Sequence, residues 1–302
     1  NYNTLIKNGL SAQKAESIIF TIPEITKPNL LIIIGSIVFV FFTLTIGTSN
    51  IEFSQEIVFI GSFGIILFLL IKLSNELDLE SKKMLLGTAI VIFAFRAMPG
   101  VGQGGSWFEI DILGFDQEFL SLLGLIASIL TIVGIFILRP LMEKSSMTRL
   151  IVILSITGSF FILPSIAMFY GFHEYTSQMT NGVIDARFIA IFNTAIESPL
   201  GQVSMIPILA WIAQSAPNHL KATFFAVLAS FTNLALSASN LGTKYLNQLF
   251  VINREVKNEN GQITIPADYS DLGVLLIIVA TLTLLIPIIT TYVVKKVKLR
   301  SY

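Results

Sequence analysis

Apolar residues fall in eight long runs, at about 29 to 48, 54 to 74, 84 to 113, 118 to 138, 147 to 171, 186 to 215, 220 to 250 and 271 to 295, divided by short polar stretches. Each run can cross about 30 Å of hydrocarbon as a helix, so the pattern predicts an all-α, polytopic transmembrane helix bundle. Several runs exceed the roughly 20 residues that a span needs, which predicts tilt, kinks or extension past the lipid. Pro99, Pro164, Pro199, Pro207 and Pro287 lie inside the runs. Neighbouring helices in a membrane bundle can satisfy the carbonyls that such prolines free.

The runs are not equivalent. The first two carry no charge in their apolar cores and consist mostly of Leu, Ile, Val and Phe, as lipid-facing or peripheral helices do. The last six are richer in Gly, Ser, Asn and Gln, and the change falls at the charged stretch from Asn75 to Lys83. The expected organisation is a linker or central loop over 1–28, a two-helix transmembrane pair over 29–76, a six-helix unit over 84–295 and a short tail over 296–302. The first 28 residues are polar and lack the apolar core and small-residue cleavage site of a signal peptide. With Asn1 in place of Met, they are read as the interior of a longer protein.

Composition narrows the class further. The chain is 54% hydrophobic and 13% charged, against roughly 25% charged in soluble domains. A net charge of zero argues against nucleic acid as a partner, and the absence of cysteine excludes disulfides, thiolate catalysis and Cys-ligated metals. Fourteen Lys and Arg residues collect in loops on one side of the expected topology, against Arg187, Lys244, Arg254 and Lys257 on the other. The positive-inside rule then places both ends of this segment in the cytoplasm and the loop at about 251 to 270, with its Asn260-Gly261 turn, outside, in a protein of the cell (inner) membrane. Arg96 belongs to neither set.

Charge inside a span costs roughly 2.5 to 3.5 kcal/mol on insertion scales and survives mainly beside a cavity or a counter-charge. On the third run Arg96, Pro99, Gln103 and Ser106 or Trp107 recur at helical spacing and share a face. Gly100, Gly102, Gly104 and Gly105 can be read as close packing alone, which does not account for Arg96. Glu109 and Asp111 lie near the outer end, where Asp111 is either interfacial and solvated or a proton-coupling group. On the sixth run Asn193, Glu197, Gly201 and Ser204 form a second stripe, with Glu197 expected to titrate or to balance Arg96, through water or substrate. On the seventh, Ser230, Asn233, Ser237, Asn240 and Lys244 share one side; its asparagines are interhelical glue or ligand contacts, and Lys244 is expected to snorkel to the interface. Ser121, Gly124, Ser128 and Thr131 on the fourth run are read as a packing face.

Enzyme chemistry has no visible seat. The only histidines, His173 and His219, fall in expected loops, and no HExxH, GxSxG or P-loop pattern occurs. The GxGxxG-like spelling at Gly100, Gly102 and Gly105 follows a hydrophobic helix and not a strand, so it does not read as a dinucleotide site. No cofactor is expected, and without a nucleotide site any transport is secondary.

Three ordered blocks carry a resemblance. Pro99, then WFEIDILGF from Trp107 and EFLSLLG from Glu118, look like the seventh and eighth helices of the folate-biopterin transporter family of the major facilitator superfamily. PLGQVSMIPILAWIAQSAP from Pro199, followed by KATFFAVLASFTNLALSASNLG from Lys221, resembles its tenth and eleventh helices, although Ala216 and Lys221 stand where relatives commonly carry a cysteine and an acid. YSDLGVLLII from Tyr269 resembles the start of the twelfth, and Arg96 stands where relatives usually carry an uncharged residue. The resemblance implies a C-terminal six-helix half plus two extra helices, the pair over 29–76 being an insertion between halves or else the last two helices of the first half, with about six further helices upstream as the missing N-terminal half.

The function so implied is secondary active transport of a small organic solute, folate or pterin by resemblance, by alternating access with proton coupling. The residues expected to bind it are Arg96, Gln103, Trp107, Asn193, Glu197, Asn233 and Asn240, with Glu197 and Asp111 for the proton. The expected partners are the lipid bilayer, the solute and the upstream half. A transporter of another solute, such as a sugar or peptide, would use similar residues, and a non-transporting scaffold of the same fold is the reading from a different class.

Overall fold

The computed structural model describes residues 30–49, 51–201, 203–214, 221–258, 262–297 and 299, and within these the chain is overwhelmingly helical. The expected linker at 1–28, the Asn260-Gly261 turn, Gln202, Ala216, His219 and most of the C-terminal tail lie outside the described residues. The chain divides into two compact units, 1–38 and 39–302. The first is described only by Leu30–Val38, part of α1 (Leu30–Gly47), whose side chains are largely exposed.

The second unit holds the remaining helices. They are α2 (Ser54–Ser74), α3 (Leu79–Arg96), α4 (Gln103–Asp111), α5 (Gln117–Ile137), the short α6 (Arg139–Lys144), α7 (Met147–Phe169), the short α8 (Phe172–Met179), α9 (Ala186–Glu197), α10 (Met205–Gln214), α11 (Lys221–Leu249) and α12 (Leu272–Lys296). A small antiparallel pair, β1 (Val256–Lys257) and β2 (Ile263–Ile265), stands between α11 and α12. Six helical segments are long and apolar enough to cross a membrane, namely α2, α5, α7, α9 with α10, α11 and α12.

Start signals are local and polar. Asp78, Asp116, Ser146 and Asp185 each precede a helix and accept a hydrogen bond from a backbone N–H in its first turn, satisfying a donor that the helix cannot use. Capping by Asp78 begins α3 at Leu79, so Lys82 and Lys83 belong to a helix and the charged loop is shorter than the sequence suggested.

Two expected single helices are instead discontinuous. The run at 84 to 113 ends as α3 at Arg96 and resumes as α4 at Gln103. Pro99 lacks an N–H, and Gly102 takes φ +77°, a conformation open to glycine and strained for other residues. The run at 186 to 215 passes from α9 into a 3-10 turn at Ser198–Leu200 that contains Pro199, and resumes as α10 at Met205.

Packing joins the pieces. The most extensive helix contact is α7 on α12, where Ser159 Oγ donates to the Ala280 carbonyl at 2.8 Å. The first break lies against α11, and the second against α5, where the Thr131 hydroxyl donates to the Ser198 carbonyl at 2.9 Å. Gly134 meets the Pro199 backbone so closely that no Cβ would fit. The packing face expected on α5 therefore narrows to Thr131 and Gly134, while Ser121, Gly124 and Ser128 are exposed. Their two hydroxyls turn back onto the carbonyls of Gln117 and Gly124.

Candidate functional site

The break after Arg96 is held open by one face of α11. The Ser239 hydroxyl donates to the Met98 carbonyl at 2.6 Å, the Thr243 hydroxyl accepts from the Gly100 N–H at 2.8 Å, and the Asn247 amide donates to the Val101 carbonyl at 3.2 Å. These three side chains stand four residues apart, so they form one stripe. A backbone group left without a partner in apolar surroundings costs about 1–3 kcal/mol, so the stripe is what makes an unwound segment tolerable. Close approach is needed too: a Cβ on Gly102 would lie 2.8 Å from Asn247 Nδ2, and one on Gly104 2.8 Å from Ile252 Cδ1. The glycines are thus both packing surface and hinge.

Arg96 closes α3, where a cation meets the negative end of the helix dipole. Its Nη1 points to the Met205 sulfur at 3.3 Å, which brings the end of α3 to the start of α10. Phe95, Leu200 and Val203 pack with Leu150 and Leu154 in the same region, so the two breaks meet over α7. Thioether sulfur is a weak acceptor. Arg96 Nε is buried without any hydrogen-bond partner among the described residues, and no ion pair joins Arg96 to Glu197. Arg96 meets the chain at Met205, eight residues beyond Glu197, which is why the direct pair does not form.

The other expected residues separate into groups. Gln103 opens α4 beside the first break and is exposed. Trp107 is half-buried against a cluster of Phe108, Tyr269, Leu272 and Leu276. Asn193 Nδ2 approaches Glu197 Oε2 at 3.4 Å along α9, and Glu197 is exposed at the edge of the second break. Asn240 lines a cleft of about 250 Å³ between α2 and α11 with Gln55, Ser62 and Ser237, away from the stripe that faces the break. Asn233, two turns earlier on the same face, is exposed.

Lys244 departs from the snorkelling expectation. Its Nζ lies 2.6 Å from Glu56 Oε1, and the Tyr245 hydroxyl donates to the same oxygen at 2.8 Å. The Glu56 side chain is only 15% exposed. The link docks α2 on α11 and gives α2 a buried face of Ser62, Ile66, Leu69, Leu70 and Leu73, which a purely lipid-facing helix would lack.

Two polar latches sit at the end of the bundle near the β pair. Asp111 is gripped by Arg254 through Nε at 2.9 Å and Nη2 at 2.7 Å, and the Tyr269 hydroxyl donates to it at 2.7 Å. Burial first, then the hydrogen bond to Asp111, push the Tyr269 hydroxyl up to about 12, so it stays a donor at neutral pH. Asp116 pairs with Arg187 at 2.7 Å. The Phe119 backbone N–H, and after it Arg187, hold the Asp116 carboxyl below the usual carboxylate range.

Ser239, Thr243, Asn247 and Glu56 were missed in the sequence reading. The first three stand in a four-residue polar period beside that of Ser237, Asn240 and Lys244. Glu56 had no legible signal, since its partner is 188 residues away.

The family model described as BT1 family matches residues 18–300. The chain is 23% identical over 154 residues to the folate-biopterin transporter of Synechocystis sp., covering 51% of this chain and 30% of that protein. It is 22% identical over 161 residues to a Plasmodium berghei protein that carries the name folate transporter 2, covering 53% and 34%. The matched part is therefore about a third of the length of these relatives. No solved structure matches. With a family match across nearly its whole length and six apolar helices able to span a bilayer, the chain is an integral, multi-pass membrane protein and belongs to the BT1 family, the folate-biopterin transporters.

Proposed function

We propose that this chain is one half of a secondary active transporter for a flat, carboxylate-bearing solute of the folate or pterin class. The observation that carries this reading is Arg96, a guanidinium with a buried, unpartnered Nε at the meeting point of two interrupted helices. Discontinuous helices that meet at mid-bundle are the usual seat of a transported substrate, because unwound backbone is tolerated only where it lines a cavity or is bonded by neighbours.

Arg96 would hold a solute carboxylate and Gln103 its polar edge, with Asn193 and Glu197 at the second break. The names of the Synechocystis and Plasmodium relatives support the solute class. Alternating access then requires the upstream half and the bilayer, with both ends of this segment on the cytoplasmic side, and no enzymatic step. A proton gradient is the driving force this reading adopts.

The test is uptake of radiolabelled folic acid by vesicles holding the complete protein. Arg96→Ala should raise the apparent KM roughly tenfold to a hundredfold, equivalent to about 1.5–3 kcal/mol for a hydrogen bond to a charged group. Undiminished uptake in both Arg96→Ala and Glu197→Gln would remove this site from the mechanism.

A further inference from the structure

Glu109 is an ionisable group that neither latch nor substrate site uses. It stands on α4, the short helix beyond the first break, and lines a half-open cavity of about 190 Å³ between α4, α7 and α12. Its carboxylate has no ion pair and no hydrogen-bond partner among the described residues. Asp111, two residues on, is in the opposite state, with Arg254 and Tyr269 both bonded to it.

The walls explain what a charge there would meet. Val101, Phe108, Leu113, Met168, Leu272 and Leu276 supply hydrocarbon, while Ser106 from α4 and Ser165 from α7 supply hydroxyls. Among the described residues no second titratable side chain lines the cavity: α7 contributes Ser165 and Met168, and α12 contributes Leu272 and Leu276. A carboxylate taken out of water without a counter-charge is strongly disfavoured, whereas the neutral acid can donate to a serine hydroxyl or to water. The volume suffices for a few water molecules at about 30 Å³ each.

We infer that Glu109 is a proton-binding site of the bundle, a carboxyl that holds its proton while the α4–α7–α12 cavity is closed and releases it when water reaches the cavity. Its place on α4 matters because α4 follows directly on the broken segment at Met98–Gly102, so a change of that segment when a solute occupies Arg96 would carry Glu109 with it. The proton site deepens the transport reading and rests on it for its consequence, the coupling of a proton to solute movement. The site itself can be tested without transport.

Two measurements on the complete protein separate these levels. Dicyclohexylcarbodiimide adds to protonated carboxyls in apolar surroundings and leaves an acylurea that mass spectrometry locates. Glu109 should be labelled in preference to the exposed Glu118 and to Asp111, with labelling that persists well above the value of about 4.3 typical of a free glutamate and falls at alkaline pH. Labelling of Glu109 no greater than that of Glu118, or independent of pH, would overturn the proton site. In vesicles, Glu109→Gln should abolish accumulation driven by an imposed pH difference, and Glu109→Asp should restore part of it. Uptake by Glu109→Gln that responds to the pH difference as the unaltered protein does would overturn coupling through this residue. Failure of the unaltered protein to take up any folate or pterin would overturn the transport reading instead, leaving the labelling result to decide the proton site.

Discussion

The Ser239 hydroxyl donates to the Met98 carbonyl at 2.6 Å, so a side chain of the spanning helix α11 bonds the backbone just past the end of α3. With Thr243 and Asn247 it carries the hydrogen bonds that the interrupted helix cannot make internally. Replacing Ser239 by Ala, or Thr243 by Val, should leave a backbone group unpaired and destabilise the protein by about 1–3 kcal/mol. A lower melting temperature of the purified protein in detergent would register the loss; no change would mean that water replaces the bond.

Gly134 presses on the Pro199 backbone with no space for a methyl group, whereas nothing lies within 4 Å of a Cβ placed on Gly64. Gly134→Ala should therefore destabilise by about 1–3 kcal/mol through overpacking. Gly64→Ala, in the interior of α2, should be neutral or stabilising by up to about 1 kcal/mol through helix propensity alone. Equal effects in the same melting measurement would contradict the packing at the second break.

Glu56 and Lys244 form a pair whose members depend on each other. Lys244→Met or Glu56→Gln alone should lower thermal stability, and the double variant should lose less than the two single losses added together, since neither charge is then left alone. Additive losses would show that the two residues act independently.

Acid should loosen the end of the bundle that carries Asp116. Its carboxyl is held below the ordinary range by the Phe119 N–H and then by Arg187, so the stabilisation is fully present above the unfolded value near about 4 and is lost as pH falls through the lower folded value. Asp116→Asn should flatten that part of the acid unfolding curve. A curve unchanged by the substitution would assign the acid sensitivity elsewhere.

Much of the fold was legible in hydropathy alone. The ends of α5, α7, α11 and α12 fall within two residues of the apolar runs, because an uninterrupted run that must satisfy its own backbone in lipid has no alternative to helix. The breaks were not legible in the same way. Hydropathy sums side chains, while the interruption after Arg96 depends on backbone: the missing N–H of Pro99, the positive φ of Gly102 and the acceptors waiting on α11. Of the candidate site, Arg96 and the glycines stood out because charge and glycine are conspicuous in hydrocarbon. The partners of Lys244 and Asp111 were invisible, since each lies more than a hundred residues away in the chain.

α11 is bonded on two sides at once. Ser239, Thr243 and Asn247 hold the broken segment, and Ser237, Asn240 and Lys244 face α2. One residue of axial rotation, about 100°, would exchange these faces and break both sets of contacts. The helix therefore has a single permissible phase, and α2 is part of what sets it. A chain trimmed to start at Leu79 would keep the six-helix region yet turn an asparagine, a serine and a lysine toward lipid. A piece of this protein that keeps the α11 contacts on both sides includes α2.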